Sequence, residues 1–232
     1  MNDNKMQTVK KAFKDTIPVM TGYIVLGIGF GILMTKEGFG VGMAALMSVF
    51  IYAGSMQFAA IPLLVAKSSF LTIAVTTLMV NARHFFYGIS MLDKYKNVGK
   101  KKWYLIFGLT DETYSLVSRD NEDINAEHKP FYFLMVTVFD HIYWVMGSVL
   151  GACLGYFITF STYGIDFALT ALFITIFTEQ WISTKNHFAA ITGILASVAA
   201  RIIFGAENFL IPAMICIVTV LIIGRKYYKE EE

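Results

Sequence analysis

A chain of 232 residues that is 56% hydrophobic and 16% charged, with a formal net charge of +2, departs from soluble proteins, in which charged residues make up about 25%. A mean hydropathy of +0.58 and long, continuously apolar runs exclude a water-solvated fold, and a transmembrane β-barrel as well, since barrel strands alternate apolar and polar residues. The net charge leaves no footprint for nucleic acid, and Cys153 and Cys216 sit inside apolar runs, which reads as buried structural thiols with no disulfide or metal framework.

The class that remains is an all-α polytopic integral membrane protein. Lys5, Lys10, Lys11 and Lys14 precede an apolar run from Ile17 to Met34, too long for a signal peptide and lacking a small-residue cleavage site, so it reads as a retained first span. Gly22, Gly27, Gly29 and Gly31 within it predict a close-packing face. Further apolar stretches run from Val41 to Ala66, Phe70 to Leu92, Trp103 to Val117, Phe131 to Phe160, Ile165 to Trp181, Phe188 to Phe204 and Phe209 to Gly224. Not all of these need cross, because polar breaks can split a membrane helix into halves.

Lysines decide which. The N-terminal segment, the loop with Lys94, Lys96, Lys100, Lys101 and Lys102, and the tail with Arg225, Lys226 and Lys229 all belong on the cytoplasmic side. The stretch Arg119 to Lys129 carries Asp120, Glu122, Asp123 and Glu127 and reads as external. These assignments agree if Val41 to Ala66 enters and returns on one side, hinged at Tyr52-Ala53-Gly54-Ser55-Met56-Gln57, and if Ile165 to Trp181 is also re-entrant. The expectation is about six crossings plus two broken or re-entrant segments, with both termini cytoplasmic. A weak internal repeat at an offset of 118 residues lays Lys67, Phe70 and Arg83 on Lys185, Phe188 and Arg201, and Gly29 on Gly147. Halves at 13–117 and 131–224 of a single transporter domain would then form an inverted repeat, as in many secondary transporters.

Ionisable groups inside the spans carry the functional signal, since each costs about 2.5–3.5 kcal/mol at the bilayer centre. They are Arg83 and His84 in the third stretch, Asp111 and Glu112 in the fourth, Asp140 and His141 in the fifth, and later Glu179 and Arg201, with the amides Asn81 and Gln180 beside them. Arg83 lies too deep to reach the surface and has two readings, an ion pair with Asp111, Glu112 or Asp140, or a bidentate partner for a substrate carboxylate. Asp140-His141 reads either as a pair holding helices in register or as a proton-coupling station. Of the adjacent acids, Asp111 is the expected inward-facing member. Ser55 and Gln57 lie where an unwound helix would offer backbone groups and a half-helix N-terminus to an anion, or where a plain kink would leave Gln57 bonded to a neighbouring helix. No phosphate-cradling loop, H-E-x-x-H or paired C-x-x-C occurs, so the chain reads as a transporter without cofactor or metal, and not as an enzyme.

Three runs carry a resemblance: Gly54-Ser55-Met56-Gln57-Phe58-Ala59, Asn81-Ala82-Arg83-His84-Phe85-Phe86-Tyr87-Gly88 and Thr110-Asp111-Glu112-Thr113-Tyr114. In this order the chain resembles the AzlC family of branched-chain amino acid permeases, the YgaZ-like large subunits. The resemblance implies export of valine, leucine and isoleucine across a bacterial cytoplasmic membrane, together with a small AzlD-type membrane subunit. An amino acid needs a partner for each of its parts. Arg83 or the backbone near Ser55 would take the carboxylate, with Gln57 and Asn81 beside it. Asp111 or Asp140 would take the ammonium, and Phe or Met side chains the aliphatic group. Asp140 and His141 would couple protons. A different small amino acid as substrate, a membrane enzyme and a non-transporting accessory subunit are the other readings.

Overall fold

The computed structural model describes residues 3–96, 98–119, 124–158, 167–183 and 186–228, and every regular element among them is helical. The chain divides into two compact units, Met1–Leu169 and Thr170–Glu232.

The first unit is built on α1 (Asp3–Lys36) and α8 (Lys129–Gly155). At about 1.5 Å per residue both exceed the ~30 Å hydrocarbon thickness. The buried positions of α8 (Tyr132, Val136, Asp140, Trp144, Gly147, Gly151 and Gly155 among them) recur every three or four residues and form one stripe. Ile142, Met146, Leu150 and Leu154 on the other face are each close to half exposed and supply a lipid-facing surface. Against the buried stripe lies the glycine face of α1. A Cβ added to Gly27 would come within 2.9 Å of the Ser148 backbone nitrogen, and one on Gly147 within 2.9 Å of the Ile24 carbonyl oxygen. Gly31 and Gly151 are held still more tightly, against Ser148 and Ile28 respectively. Such backbone contact needs small residues on both helices, because lipid supplies no hydrophobic force between them and packing must.

The contacts climb both helices together. Tyr132 donates to Asp15, Gly27 meets Gly147, Gly31 meets Gly151, and Thr35 donates to the Ala152 carbonyl. Thus α1 and α8 run parallel. The 118-residue correspondence therefore joins two helices of like direction. The elements seen inverted within this unit are two hairpins.

The first hairpin is α2 (Val41–Phe50) and α3 (Gly54–Val65). Gly40 lies by Tyr156 at the C-terminal end of α8, while Ser48 meets His141 near its middle, so α2 descends. Gly54 then abuts Trp144, and Phe58 packs on Phe30 at 5.7 Å between rings, so α3 climbs back. The expected re-entrant segment is present. Its break falls at Ile51–Ala53, where Tyr52 adopts φ 45°, just ahead of the polar run that suggested it. From the end near the C-terminus of α8, α4 (Phe70–Val80) and α5 (Ala82–Ser90), interrupted at Asn81, lead to the N-terminal end of α1. There Met91, Tyr95 and Val98 share a core with Ala12, Tyr132 and Phe133.

The second hairpin corrects the sequence expectation. Trp103 to Val117 does not cross: α6 (Lys102–Phe107) rises to a break at Gly108-Leu109-Thr110, and α7 (Asp111–Val117) descends from it. Its foot is fixed where it began, since Leu105, Leu116, Val117 and Ile124 all join the core around Ala12, and Lys94 donates to the Ser118 and Arg119 carbonyls. The described parts of the 119–129 connection therefore lie at the lysine-rich end and not opposite it. The cause is local. Thr110 turns the chain and caps α7 by accepting from the Thr113 amide, which leaves two helices each too short to span.

In the second unit, α9 (Phe167–Ser183) is one unbroken helix without glycine or proline, so the broken segment expected over Ile165 to Trp181 is absent from its described residues. α10 (Phe188–Asn208) and α11 (Leu210–Tyr228) pack antiparallel through Ala196, Ala200 and Ala213, with Phe188 against Gly224. Gly205, at φ 77°, breaks the end of α10. Arg201 is exposed and stacks over Phe209 at 5.8 Å. Cys153 and Cys216 are free and on exposed faces, not buried as their apolar neighbours suggested. Lys5–Lys36, Lys129–Gly155 and Phe188–Gly205 are the described helices long and apolar enough to cross a membrane.

Two outcomes follow. In a background with Cys153 and Cys216 replaced by serine, Lys96→Cys and Ala126→Cys should react with an impermeant maleimide from the same side of sealed vesicles. Gly151→Leu should lower the unfolding temperature in detergent, at a cost of about 1–3 kcal/mol or more, while Gly22→Leu, with open space around it, should leave it nearly unchanged.

Candidate functional site

The hairpins enter from opposite ends and their tips meet against the middle of α8. The Tyr52 and Phe107 rings lie 6.1 Å apart, and Gly108 fits between Thr137 and the Tyr52 ring. Beside this junction stand Asp140 and His141. Adjacent helical residues point about 100° apart, and these two serve different neighbours. Asp140 is fully buried and its Oδ2 accepts from the Thr113 hydroxyl at 2.7 Å. His141 places Nδ1 3.0 Å from the Tyr104 hydroxyl and Nε2 3.3 Å from the Ser48 carbonyl, with its ring 4.2 Å from that of Tyr52. The expected station thus consists of two neighbours that diverge, one toward α7 and one toward α6 and α2.

Hydroxyls extend the network from Asp140. Thr110 donates to Thr113 at 3.1 Å, the Thr110 and Tyr23 oxygens lie 2.6 Å apart, and Tyr23 donates to Glu112 at 2.7 Å. Tyr23 draws Glu112 into the bundle, and Asp111, equally half-buried and with its Oδ1 screened from solvent, opens α7 beside it. Both acids sit in the first turn of α7, where the helix dipole favours negative charge.

Gln57 has a structural duty. Fully buried, it donates to Ser48 Oγ at 3.1 Å and accepts from Trp144 Nε1 at 2.8 Å, tying α2, α3 and α8 together. Ser55 is buried in the first turn of α3, whose N-cap, Ala53, has no side chain to cap the amides there. Asn81 forms the break between α4 and α5, where its carbonyl accepts from the His84 amide at 2.9 Å. Arg83 belongs to α5 by its backbone, but its side chain lies outside the described structure, as do those of Glu179 and Gln180. Among the described residues, two buried oxygens at the junction have no partner within hydrogen-bond length, Asp140 Oδ1 and the Tyr52 hydroxyl, the latter facing Tyr23. A buried polar atom without a partner costs about 1–3 kcal/mol, and these stand beside the uncapped start of α3. The arrangement can receive a cation on Asp140 and an anion at α3.

The sequence reading missed Tyr23 and Trp144, and gave no site role to Tyr52, which it placed at the hinge, or to Thr113, which it named in the third run. Hydroxyls and aromatics are common in membrane helices, and only the register between helices brings these together. Thr110, three residues before Thr113, was the one available signal, as a cap ahead of two acids.

Residues 18–158 match the family model described as AzlC protein. The branched-chain amino acid transport protein AzlC of Bacillus subtilis is 46% identical over 96% of this chain and 87% of its own. An uncharacterized membrane protein of Haemophilus influenzae is 40% identical over 93% of this chain and 88% of its own. The inner membrane protein YgaZ of Escherichia coli is 26% identical over 90% and 87% respectively. No solved structure matches the chain.

The Gln57 tie is testable without a substrate. Trp144→Phe should destabilise the protein by about 1–3 kcal/mol by leaving the Gln57 oxygen unbonded in the interior, and adding Gln57→Leu should recover part of that loss. Thermal unfolding in detergent reads both.

Proposed function

We propose that this chain, which belongs to the AzlC family, is a secondary transporter that exports valine, leucine and isoleucine across a bacterial cytoplasmic membrane. It works with a small AzlD-type subunit and in exchange for protons, with both termini in the cytoplasm. The observation that carries the reading is the pair of unbonded buried oxygens, Asp140 Oδ1 and the Tyr52 hydroxyl, beside the uncapped first turn of α3 where the two hairpins meet. The name of the Bacillus relative supports the choice of substrate.

The chemistry follows from the zwitterion. Its ammonium binds Asp140 and the Tyr52 hydroxyl. Its carboxylate binds the α3 amides around Ser55, where the helix dipole attracts an anion, with Arg83 as its second partner. Asn81 and Asp111, at the breaks that open α5 and α7, border the path. Tyr52, Phe107 and Trp144 offer apolar surface for a branched side chain, which carries no group to satisfy and gains from leaving water. Proton exchange involves Asp140 and His141. Each hairpin tip closes the site toward its own side, and withdrawing one while the other stays would alternate access.

Radiolabelled leucine and valine flux in proteoliposomes, with and without the small subunit, tests this. Asp140→Asn should lower the initial rate by about tenfold or more, and Tyr52→Phe should raise KM by about tenfold, equivalent to ~1.4 kcal/mol. Wild-type rates in both Asp140→Asn and Arg83→Ala would overturn the site. Absence of flux of all the branched-chain amino acids from the wild-type complex would overturn the substrate.

A further inference from the structure

Building on the transport reading, we propose that Asp140 and Glu112 hold a single proton between them and pass it through the hydroxyls of Thr113, Thr110 and Tyr23. The case rests on counting hydrogens. From Glu112 Oε2 to Asp140 Oδ2 the oxygens follow one another at 2.7 Å (Glu112 to Tyr23), 2.6 Å (Tyr23 to Thr110), 3.1 Å (Thr110 to Thr113) and 2.7 Å (Thr113 to Asp140). All are hydrogen-bond lengths, and each needs one hydrogen. The three hydroxyls own one apiece, and an ionised carboxylate brings none. With both acids ionised, one contact in the series would set lone pairs against lone pairs in a buried setting. The Thr113 amide also donates to Thr110 Oγ, but that hydrogen lies outside the series. One proton added at either end fills every link.

That proton has two resting places. When it sits on Glu112, Glu112 donates to Tyr23, Tyr23 to Thr110, Thr110 to Thr113, and Thr113 to the Asp140 carboxylate. Transfer breaks the O–H bond of each donor and forms one on the next oxygen. It ends with Asp140 protonated, Glu112 ionised and every hydrogen bond reversed. No atom leaves the network; only the negative charge changes ends.

This deepens the role of Asp140. An ammonium arriving at Oδ1 requires the ionised carboxylate, so it drives the proton to Glu112, and its departure lets the proton return. Substrate and proton thus compete for one charge while occupying different residues. Among the described residues, the titratable groups gathered around Asp140 are Tyr23 on α1, Tyr52 at the first hairpin tip, Tyr104 on α6, Glu112 on α7, and His141 and Tyr143 on α8. Tyr104 and His141 lie off the series, and Tyr52 approaches it at the Tyr23 hydroxyl, outside the four links. Tyr143 faces Thr16 at 3.3 Å and is off it too.

Infrared spectroscopy and transport together test the proposal on the reconstituted full chain with its small subunit. At neutral pH the wild type should show a protonated carboxyl stretch that the Asp140→Asn/Glu112→Gln double variant lacks. Tyr23→Phe removes the hydroxyl next to Glu112 and so opens the series. It should leave leucine-for-leucine exchange within about twofold of wild type while cutting leucine movement driven by a pH gradient about tenfold or more. Thr110→Val should do the same and Thr110→Ser should restore coupling, while Tyr23→Phe, which leaves the cap of α7 in place, separates the wire from the capping role of Thr110. Unchanged coupling in Tyr23→Phe, or no difference between the carboxyl spectra of wild type and double variant, would overturn the shared proton. A wild type that moves no leucine would sink the transport reading instead, and the infrared comparison would still decide where the proton resides.

Discussion

Everything in the first unit depends on how closely α1 and α8 approach. Two membrane helices gain nothing from burying leucine against leucine, because lipid is as apolar as they are; they gain from backbone contact that only small residues permit. Gly27 and Gly31 on one helix and Gly147 and Gly151 on the other create that contact. It fixes the register in which Tyr23 faces Trp144, with ring centroids 5.5 Å apart. Tyr23 can reach α7 because α1 is held there, and Asp140 can reach it because α8 is.

Upon that frame the hairpins solve a second problem. A chain that breaks its helices at mid-depth must satisfy the freed backbone groups without water. The α6–α7 tip does so with Thr110, which caps its own helix, and with Gly108, which lets the turn lie against Thr137. The α2–α3 tip is secured by Gln57, Ser48 and Trp144, yet it leaves the Tyr52 hydroxyl unbonded. That open hydroxyl, next to the first turn of α3, is why the candidate site leans toward α3.

Much of this was legible in the sequence. The apolar runs marked most of the helices, the polar sequence after Ala53 marked the first hairpin, and Asp140 announced itself as a carboxylate where lipid should forbid one. The second hairpin was not legible, because Gly108 and Thr110 look like ordinary interior residues of an apolar run. The acids of the following loop also suggested the wrong side, although acids carry little weight in topology. Length was the better guide, since α6 and α7 together are shorter than a spanning helix needs to be. Tyr23 and Thr113 were invisible for a different reason. A hydroxyl acquires meaning from what faces it, and facing is a property of two helices.

The parallel pairing of α1 and α8 also shapes how the protein is made. The glycine face of α1 has no partner until the chain from Glu37 to His128 has been synthesised, on the order of 5–20 s at about 5–20 residues per second. During that interval the first helix waits in the bilayer with its most adhesive surface uncovered, and the hairpins emerge before the frame that supports them exists. The unit can therefore close only late and all together, when α8 slides in beside a helix that was inserted first. A ribosome that stalls before Lys129 would leave a chain whose α1 lacks the helix that its glycine face packs against.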